Sequence, residues 1–336
     1  MRPMRVVRIG LYAMLVLTGV LIFDILVLVF YFDAVPDRMA RSGGPNALWA
    51  EHDWVGKAHS EAEYDDLAGL LQANRITDVF FHVGPLAADG TIDPSLYPNA
   101  AALIAALERR LPDLRAQAWI GQKEKRGGGP LDLDDAAVRS TIVETAHGFL
   151  DLGFDGIHYN IEPVPSGDRS LLALLDETRP VVDAAGAVLS IAADEIEPYP
   201  GARHMLRRFM PGAHLWASDY YEAIGARTDQ IAVMMYDTTI PYAWAYSAAV
   251  AWVTRLTWHN IGTETVLFIG VPTYEEATAG FDPAVENMES TLIGIARTMP
   301  SDRDSPRMFG LAIYANWTTD ETEWAFWRRH WLGEPD

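Results

Sequence analysis

The chain has 336 residues, no cysteine and a formal net charge of −20. The absence of cysteine excludes disulfides, thiol catalysis and cysteine-based metal sites. Residues 1–32 contribute +2, which leaves −22 on residues 33–336, and such an acidic body repels nucleic acid and anionic lipid surfaces. We therefore predict no nucleic-acid partner. The nine histidines show neither an HExxH motif nor paired ligand spacing, so no metal or cofactor is predicted either.

The chain begins with an apolar run from Ile9 to Phe32 whose only charge is Asp24. Its 24 residues exceed the ~20 that a helix needs to cross a bilayer. Three arginines precede the run and two aspartates follow it, which predicts a cytoplasmic amino terminus. We predict a cytoplasmic tip and transmembrane signal-anchor over residues 1–33, membrane contact through residues 9–32, and an extracytoplasmic remainder at the cell membrane. A cleaved signal peptide, which gives a secreted form, is the alternative.

Strand-like and helix-like segments alternate after a glycine- and proline-containing stretch that predicts a linker over residues 34–46. The predicted strands are Ala47–Gly56, Thr77–Gly84, Leu114–Gly121, Phe154–Glu162, Val188–Asp194, Gln230–Asp237, Thr265–Pro272 and Phe309–Asn316. The predicted helices are Glu61–Asn74, Asn99–Arg110, Ala136–Leu152, Leu171–Ala184, Ala213–Gly225, Tyr246–Asn260, Pro283–Thr298 and Glu321–Trp331.

Eight strand-then-helix units predict an α/β fold, namely a closed (β/α)8 TIM barrel over residues 47–336 that is preceded by one transmembrane helix. The alternative is a doubly wound open sheet. That fold needs a glycine-rich turn after its first strand, and the segment Trp54-Val55-Gly56-Lys57 does not supply one.

The fourth predicted strand carries the most informative pattern. Polar residues alternate with apolar ones along it, so that His158, Asn160 and Glu162 share one face. Barrel enzymes keep their chemistry at the carboxyl ends of such strands. An acid held in a largely apolar mouth favours its protonated form, which is the form that a general acid needs. The alternative is that Glu162 caps a helix or forms an ion pair on a loop.

Other candidate residues lie at neighbouring strand ends. Tyr236 and Asp237 end the sixth predicted strand, where they either bind a sugar or close the core. Aromatic side chains, on which sugar rings stack, accumulate near other strand ends: Trp49, Trp54, Trp119, Tyr274, Tyr314 and Trp317. Asp53, His82, Asp194 and Glu195 also lie at strand ends, and the sequence does not rank them.

The segment Asp155-Gly156-Ile157-His158-Tyr159-Asn160-Ile161-Glu162 resembles the fourth-strand motif Asp-Gly-x-Asp-x-Asp-x-Glu of the family 18 glycoside hydrolases, the chitinase-like enzymes. Three more segments resemble their sixth, seventh and eighth strands: Met234-Met235-Tyr236-Asp237, Gly270-Val271-Pro272-Thr273-Tyr274 and Gly310-Leu311-Ala312-Ile313-Tyr314. The likeness covers residues 47–335. Two acidic positions of the motif are changed, to His158 and Asn160, and Tyr314 replaces a tryptophan.

The resemblance implies a (β/α)8 barrel that cleaves β-linked N-acetylglucosamine polymers with retention, the acetamido oxygen of the substrate attacking the anomeric carbon. It implies that Glu162 is the general acid. Asn160 stands where the family has the aspartate that orients the acetamide, and Tyr236 where it has the tyrosine that holds it. We expect further substrate contacts from Asp155, His158, Asp237, Trp54, His82, Tyr274, Tyr314 and Trp317.

The sequence therefore predicts a membrane-anchored, extracytoplasmic glycoside hydrolase for an amino-sugar-containing polysaccharide such as peptidoglycan, an exopolysaccharide or chitin-like material. Asn160 lacks the negative charge of the family aspartate. If that loss disables acetamide assistance, Asp194, Glu195 or Asp237 could be the nucleophile or base. The alternative function is a non-catalytic, lectin-like glycan-binding barrel at the cell surface.

Overall fold

The computed structural model describes residues 3–33, 43–209, 214–298 and 308–335. The strands in these ranges are Ala47–Ala50 (β1), Asp78–Pro85 (β2), Arg115–Lys123 (β3), Gly156–Glu162 (β4), Val188–Ala193 (β5), Gln230–Val233 (β6), Val266–Pro272 (β7) and Phe309–Tyr314 (β8). The α-helices are Pro3–Asp33 (α1), Asp53–Gly56 (α2), Glu61–Ala73 (α3), Ala100–Arg110 (α4), Ala136–Asp151 (α5), Arg169–Ala185 (α6), Ala202–Phe209 (α7), Ser218–Gly225 (α8), Ala243–Asn260 (α9), Met288–Thr298 (α10) and Glu321–His330 (α11).

The strands form one closed barrel in chain order. Each strand is hydrogen-bonded in parallel to the next, and β8 pairs with β1, where Ala312 lies opposite Ala47. Parallel neighbours require a crossover connection, which the intervening helices provide. The predicted (β/α)8 TIM barrel is therefore confirmed.

The interior of the barrel is filled at the amino-terminal ends of the strands. The buried Gln117 amide donates to Asp78 Oδ1 at 3.0 Å and to Gln230 Oε1 at 2.8 Å. Above this polar layer lie the buried rings of Phe80 and Phe268. Strands that are covered on both faces are apolar throughout, and β7 is an example because all seven of its residues are buried. A substrate therefore finds space at the opposite end, where the strands finish.

Capping residues explain where several outer helices begin. Ser60 accepts a hydrogen bond from the Glu63 backbone N–H, and the Glu63 carboxylate accepts from the Ser60 N–H, so both ends of this capping box are satisfied at the start of α3. Asp168 accepts from two backbone N–H groups at the start of α6. Because these hydrogen bonds satisfy N–H groups of the first turn, they stabilise each helix at the residue where it begins.

Four sequence-based boundaries need correction. The first strand ends at Ala50 rather than Gly56, because Asp53–Gly56 turns into the short helix α2. The sixth strand ends at Val233 rather than Asp237. Helix α8 begins at Ser218 rather than residue 213, which lies outside the described residues, and α10 begins at Met288 rather than Pro283. Helix α7, Ala202–Phe209, was not predicted.

The amino-terminal helix α1 reaches the barrel, where the Arg297 guanidinium carbon lies 4.3 Å from the centre of the Tyr31 ring. Most side chains in the first half of the predicted span, residues 9–32, lie outside the described residues. No helix in the described part of the chain is long and apolar enough to cross a membrane. The transmembrane element of the predicted fold is therefore not supported. Most of the predicted linker, residues 34–46, lies outside the described residues as well.

Candidate active site

Strand β4 leads from the core of the barrel into a cavity. Its inward-facing residues are His158, which is fully buried, Asn160, which is partly buried, and Glu162, which is open to the cavity. Alternate residues of a strand share a face, so the three side chains form one column. The column places its only carboxylic acid at the carboxyl end of the strand.

A cavity of about 1550 Å³ extends from the carboxyl ends of the strands to a groove lined by α1, α9 and α10. A second cavity of about 520 Å³ adjoins it on the side of β2 and β3, and both are lined by Asn160 and Glu162. The two cavities together leave space on both sides of Glu162.

Glu162 stands where the two cavities meet. Solvent reaches its side chain through the cavity, although protein atoms surround it on most sides. This burial, followed by the negative charge of Asp237, raises the pKa of the Glu162 carboxyl above its ordinary value. The direction of the shift favours the protonated form that donates to a leaving group.

Four more carboxylates stand around the larger cavity. Asp194, Glu195 and Asp237 line its wall, and Glu286 lies behind Asp237 with 1% of its surface exposed. Burial, then the neighbouring charges of Glu195 and Glu162, raise the pKa of Asp194 well above its ordinary value. Burial, then nearby carboxylates, raise the pKa of Glu195 to about 7. Like charges crowded in a poorly solvated site favour proton retention, so this site holds protons to unusually high pH.

Glu286 holds the loop that carries Asp237. Its carboxylate accepts hydrogen bonds from the Thr238 backbone N–H at 3.1 Å and from the Thr238 hydroxyl at 2.8 Å. Both residues flanking Thr238 have positive φ angles, 57° at Asp237 and 60° at Thr239. Such angles are unfavourable for residues with a side chain, so the contacts to Glu286 stabilise a conformation that the loop would not adopt alone. Burial is the largest of several influences that together raise the pKa of Glu286 to about 7.

Aromatic rings form the floor of the cavity. Tyr236 and Tyr314 stack with ring centroids 4.7 Å apart and planes 20° from parallel. Tyr274 meets Tyr236 edge to face at 6.4 Å, and Trp317, which is 43% exposed, meets Tyr314 at 5.7 Å. All four line the larger cavity. Aromatic faces exposed to a polar cavity suit the apolar faces of sugar rings.

Three of the residues for which we predicted substrate contact lie elsewhere. His158 is fully buried, and its Nε2 and Nδ1 atoms are bonded to Trp49 and Ser190, so it cannot reach a ligand in the cavity. Asp155 precedes β4 at the opposite end of the barrel, where it accepts from the Ala116 N–H at 2.9 Å. Trp54 lies on α2 and stacks on His59 at 4.4 Å. The overlong first strand explains the error at Trp54, since the chain has left the sheet before this residue.

His82 lines the smaller cavity together with Trp119, with ring centroids 4.7 Å apart. Burial, then the neighbouring His52, lower the pKa of His82 to about 4. The ring is therefore neutral at physiological pH and can donate or accept a hydrogen bond at the cavity wall. The predicted residues Glu162, Asn160, Tyr236, Asp237, Tyr274, Tyr314 and Trp317 all line the larger cavity.

Several residues of this site carry no signal in the sequence. Glu286 falls within a predicted helix, and no local pattern distinguishes it from other acids of the chain. Leu28, Tyr31 and Phe32 of α1 also contribute to the wall of the larger cavity, although the sequence separates them widely from the strand ends. The described residues contain no group of three or more histidines or acids that could hold a metal ion.

No protein-family model matches the chain, and no curated protein matches its sequence. Solved structures do match. The spore cortex-lytic enzyme SleL of Bacillus megaterium is 13% identical with a TM-score of 0.58, over 88% of this chain and 75% of that one. The C-terminal domain of a putative chitinase from Desulfitobacterium hafniense has the same identity and TM-score, over 87% and 100% of the two chains. A chitinase from Chromobacterium violaceum is 16% identical with a TM-score of 0.55, over 87% and 100%.

These similarities define the class of fold. The chain is a (β/α)8 barrel of the type found in chitinases and in a spore cortex-lytic enzyme, with a sequence that has diverged far from theirs. The resemblance to the chitinase-like enzymes that the strand motifs predicted is confirmed at the level of the fold. Identities of 13–16% carry no residue's role from one chain to another, so the chemistry of this site must be argued from its own residues.

Proposed function

We propose that the protein is a chitinase-like glycoside hydrolase in which Glu162 is the general acid. One observation carries the proposal. Glu162 is a carboxylic acid with a raised pKa that stands at the junction of two cavities, at the carboxyl end of a barrel strand. This is the position at which barrel enzymes carry out their chemistry, and the protonated form is the one that glycoside cleavage requires first.

The catalytic sequence follows from that acid. Glu162 donates its proton to the glycosidic oxygen as the bond from this oxygen to the anomeric carbon breaks. The carboxylate that results then accepts a proton from the water that attacks the anomeric carbon. A positioned acid of this kind accelerates bond cleavage by about 10²–10⁴-fold. The negative charge of Asp237, which acts on Glu162, stabilises the positive charge that develops on the sugar ring.

The proposed substrate is a β-linked polysaccharide that contains N-acetylated amino sugars. Its 2-acetamido oxygen attacks the anomeric carbon, so the product keeps its configuration, in line with the sequence resemblance. Burial, followed by neighbouring groups that include Tyr314 and Glu162, raises the pKa of the Tyr236 phenol well above its ordinary value. A phenol that stays protonated donates a hydrogen bond, and the acetamido oxygen is the acceptor that we propose for it. Tyr274, Tyr314 and Trp317 supply the stacking surface.

The proposed location is extracytoplasmic, with attachment to the membrane through residues 9–32. The support is the charge asymmetry of the sequence around its apolar run, together with the exposed apolar side chains of Ile22, Phe23 and Phe30 on α1. Protease added to intact cells should degrade the barrel, and an alkaline wash should leave the full chain with the membranes. A barrel that is protected in intact cells would contradict this location.

The function is tested with the full chain and its Glu162→Gln variant, which keeps the size of the side chain and removes its acidity. Each protein is incubated with chitin oligomers, peptidoglycan and other polysaccharides that contain N-acetylated amino sugars, and new reducing ends are counted. We expect turnover by the native protein and a loss of about 10²–10⁴-fold in the variant. Turnover that survives the substitution rules out Glu162 as the acid. Binding without turnover by both proteins favours the lectin-like alternative.

A further inference from the structure

Three buried side-chain oxygens of cavity-lining residues have no hydrogen-bond partner among the described residues: Asn160 Oδ1, Asp194 Oδ2 and the Tyr274 hydroxyl. Of these residues, Asn160 and Asp194 line both cavities. A buried oxygen without a partner is costly, by about 1–3 kcal/mol in general, so the two at Asn160 and Asp194 indicate acceptors that a ligand satisfies. One is an amide oxygen on β4, and the other belongs to a carboxylate at the end of β5.

The strand register brings the two residues to the same part of the wall. His158 on β4 lies opposite Ser190 on β5, and the His158 ring and the Ser190 hydroxyl are 2.8 Å apart inside the barrel. The pairing of the two strands ends at Tyr159 and Ile191. Asn160 and Glu162 follow on β4, and Asp194 comes directly after Ala193, the last residue of β5. Asn160, Glu162 and Asp194 line both cavities, so the three side chains border the same space.

The charge of Glu162 acts on Asp194. Burial, then the charges of Glu195 and Glu162, raise the pKa of Asp194 well above its ordinary value, while a hydrogen bond with Trp216 acts in the opposite direction. A further donor that bonds to Asp194 favours its charged form.

We propose that Asp194 is a catalytic residue that supplies the negative charge that Asn160 lacks, by accepting a hydrogen bond from the N–H of the substrate's 2-acetamido group. The inference rests on the proposed hydrolase function and adds to it a residue on a different strand. Asp194 replaces, from β5, a carboxylate that the related motif carries on β4 at the position of Asn160. Asn160 then has the neutral role of accepting a second hydrogen bond from the sugar.

The acetamido carbonyl oxygen forms a bond to the anomeric carbon, the bond from that carbon to the leaving oxygen breaks, and Glu162 transfers its proton to the leaving oxygen. The ring that forms carries a positive charge shared with its nitrogen, and the Asp194 carboxylate stabilises this charge through the N–H. Water then adds to the anomeric carbon, its proton passes to Glu162, and the acetamide is regenerated.

The test moves the carboxylate from position 194 to position 160 by substitution. Four full-length variants are compared with the native protein on a chitin oligomer: Asp194→Asn, Asn160→Asp, the double variant N160D/D194N, and Glu162→Gln. We expect D194N to lower kcat by about 10²-fold or more while its melting temperature stays level or rises, because a crowded charge is removed. The double variant should regain at least about tenfold over D194N, because it has one carboxylate beside the acetamide again.

The outcomes separate the two proposals. If E162Q abolishes turnover and D194N stays within threefold of the native rate, the role of Asp194 is overturned and the hydrolase function stands. If D194N is folded and inactive and the double variant regains nothing, the role is also overturned. If the native protein has no turnover that depends on Glu162, the hydrolase proposal itself fails. Should D194N fail to fold, Asp194→Ser and N160D/D194S replace it under the same criteria.

Discussion

The indole Nε1 of Trp49 donates a hydrogen bond of 3.2 Å to Nε2 of His158, and both side chains are fully buried in the barrel. Because Nε2 accepts this bond, the proton of the neutral ring is on Nδ1, which donates to the Ser190 hydroxyl at 2.8 Å. Phe80 stacks on the same ring at 3.7 Å between centroids. A position that is acidic in the related motif is therefore a neutral, core-filling one here.

Replacing His158 by leucine should destabilise the barrel. The variant leaves the Trp49 N–H and the Ser190 hydroxyl buried without their partners, which should lower the free energy of unfolding by about 2–4 kcal/mol. Urea denaturation measures the change. His147→Leu is a matched control because the His147 side chain is 60% exposed, and it should stay within about 0.5 kcal/mol of the native protein. Equal stabilities for H158L and H147L would contradict the structural role of His158.

The difference in stability between the native protein and H158L should depend on pH. Burial lowers the pKa of His158 to about 3 from its ordinary value of 6.5, so below pH 6.5 the unfolded chain binds a proton that the folded chain refuses. The stability contributed by His158 is complete above pH 6.5 and is lost as the pH falls toward 3. The gap in stability between the native protein and H158L should therefore narrow across that range. A gap that widens toward acid pH would contradict the buried, neutral imidazole.

The carboxylates of the cavity change the stability with pH in the opposite direction to His158. Because the pKa of Glu195 is raised from 4.5 to about 7, the folded state binds its proton more tightly, and the corresponding stability is lost as the pH rises from 4.5 through 7. Glu195→Gln should therefore raise the free energy of unfolding at pH 8 by on the order of 1 kcal/mol, allowing for solvent screening. At pH 4 the variant should match the native protein. Thermal melts at both pH values test this, and a variant that is destabilised equally at both would contradict it.

Asp237 should control the pH range of activity. Its negative charge helps to raise the pKa of Glu162, so Asp237→Asn should let Glu162 lose its proton at lower pH. The alkaline limb of the kcat/KM profile should then move to lower pH by on the order of 0.5–1. Asp151→Asn is the control, since that side chain on α5 is 71% exposed, and it should leave the profile in place. A limb that stays, or moves to higher pH, would show that Asp237 does not act on the acid.

Trp317 should contribute more to the binding of long substrates than to the binding of short ones. Its exposed ring extends the stacking surface beyond Tyr314, so Trp317→Ala should raise KM for a long oligosaccharide by about 2–10-fold and leave kcat unchanged. The KM for an aryl glycoside of one sugar should not change. Tyr242→Ala is the control, because Tyr242 is 60% exposed and is not one of the residues that line the cavity. Equal effects of the two substitutions would contradict a stacking role for Trp317.

The architecture of the barrel could be predicted because its strands follow local rules. Buried apolar segments such as Val266–Pro272 and the alternating segment around His158 identify themselves within a few residues. The incorrect element boundaries lie where the local sequence pattern does not determine the structure. The chain from Ala47 to Gly56 is apolar enough for one long strand, yet the structure bends it into α2. The helix Ala202–Phe209 has only eight residues, about two turns, which is too short a window for helical periodicity to be recognised in the sequence.

The site was predictable only in part, for a different reason. Glu162 and Tyr314 end β4 and β8, and Tyr236 follows the last residue of β6 by three positions, so parallel topology alone brings them to one end of the barrel. Glu286 belongs to the segment before α10, and its contact with Thr238 depends on how two loops fold over the cavity. His158 shows the converse, because its polar side chain pointed to the cavity in sequence but is satisfied by Trp49 and Ser190 in the core. Contacts between distant segments leave no local pattern, and such contacts decide which polar groups are free to bind.

The most direct test of Glu162 as a proton donor is how strongly the loss of kcat/KM in the Glu162→Gln variant depends on the leaving group. Native protein and E162Q are compared on two β-linked N-acetylglucosaminides. In the first the leaving group is a second sugar, whose hydroxyl oxygen must be protonated. In the second it is 2,4-dinitrophenolate, which needs almost no protonation. We predict that the substitution lowers kcat/KM by about 10³-fold for the first substrate and at least about tenfold less for the second. An equal loss on both substrates, or no loss on either, would contradict the assignment of Glu162 as the acid.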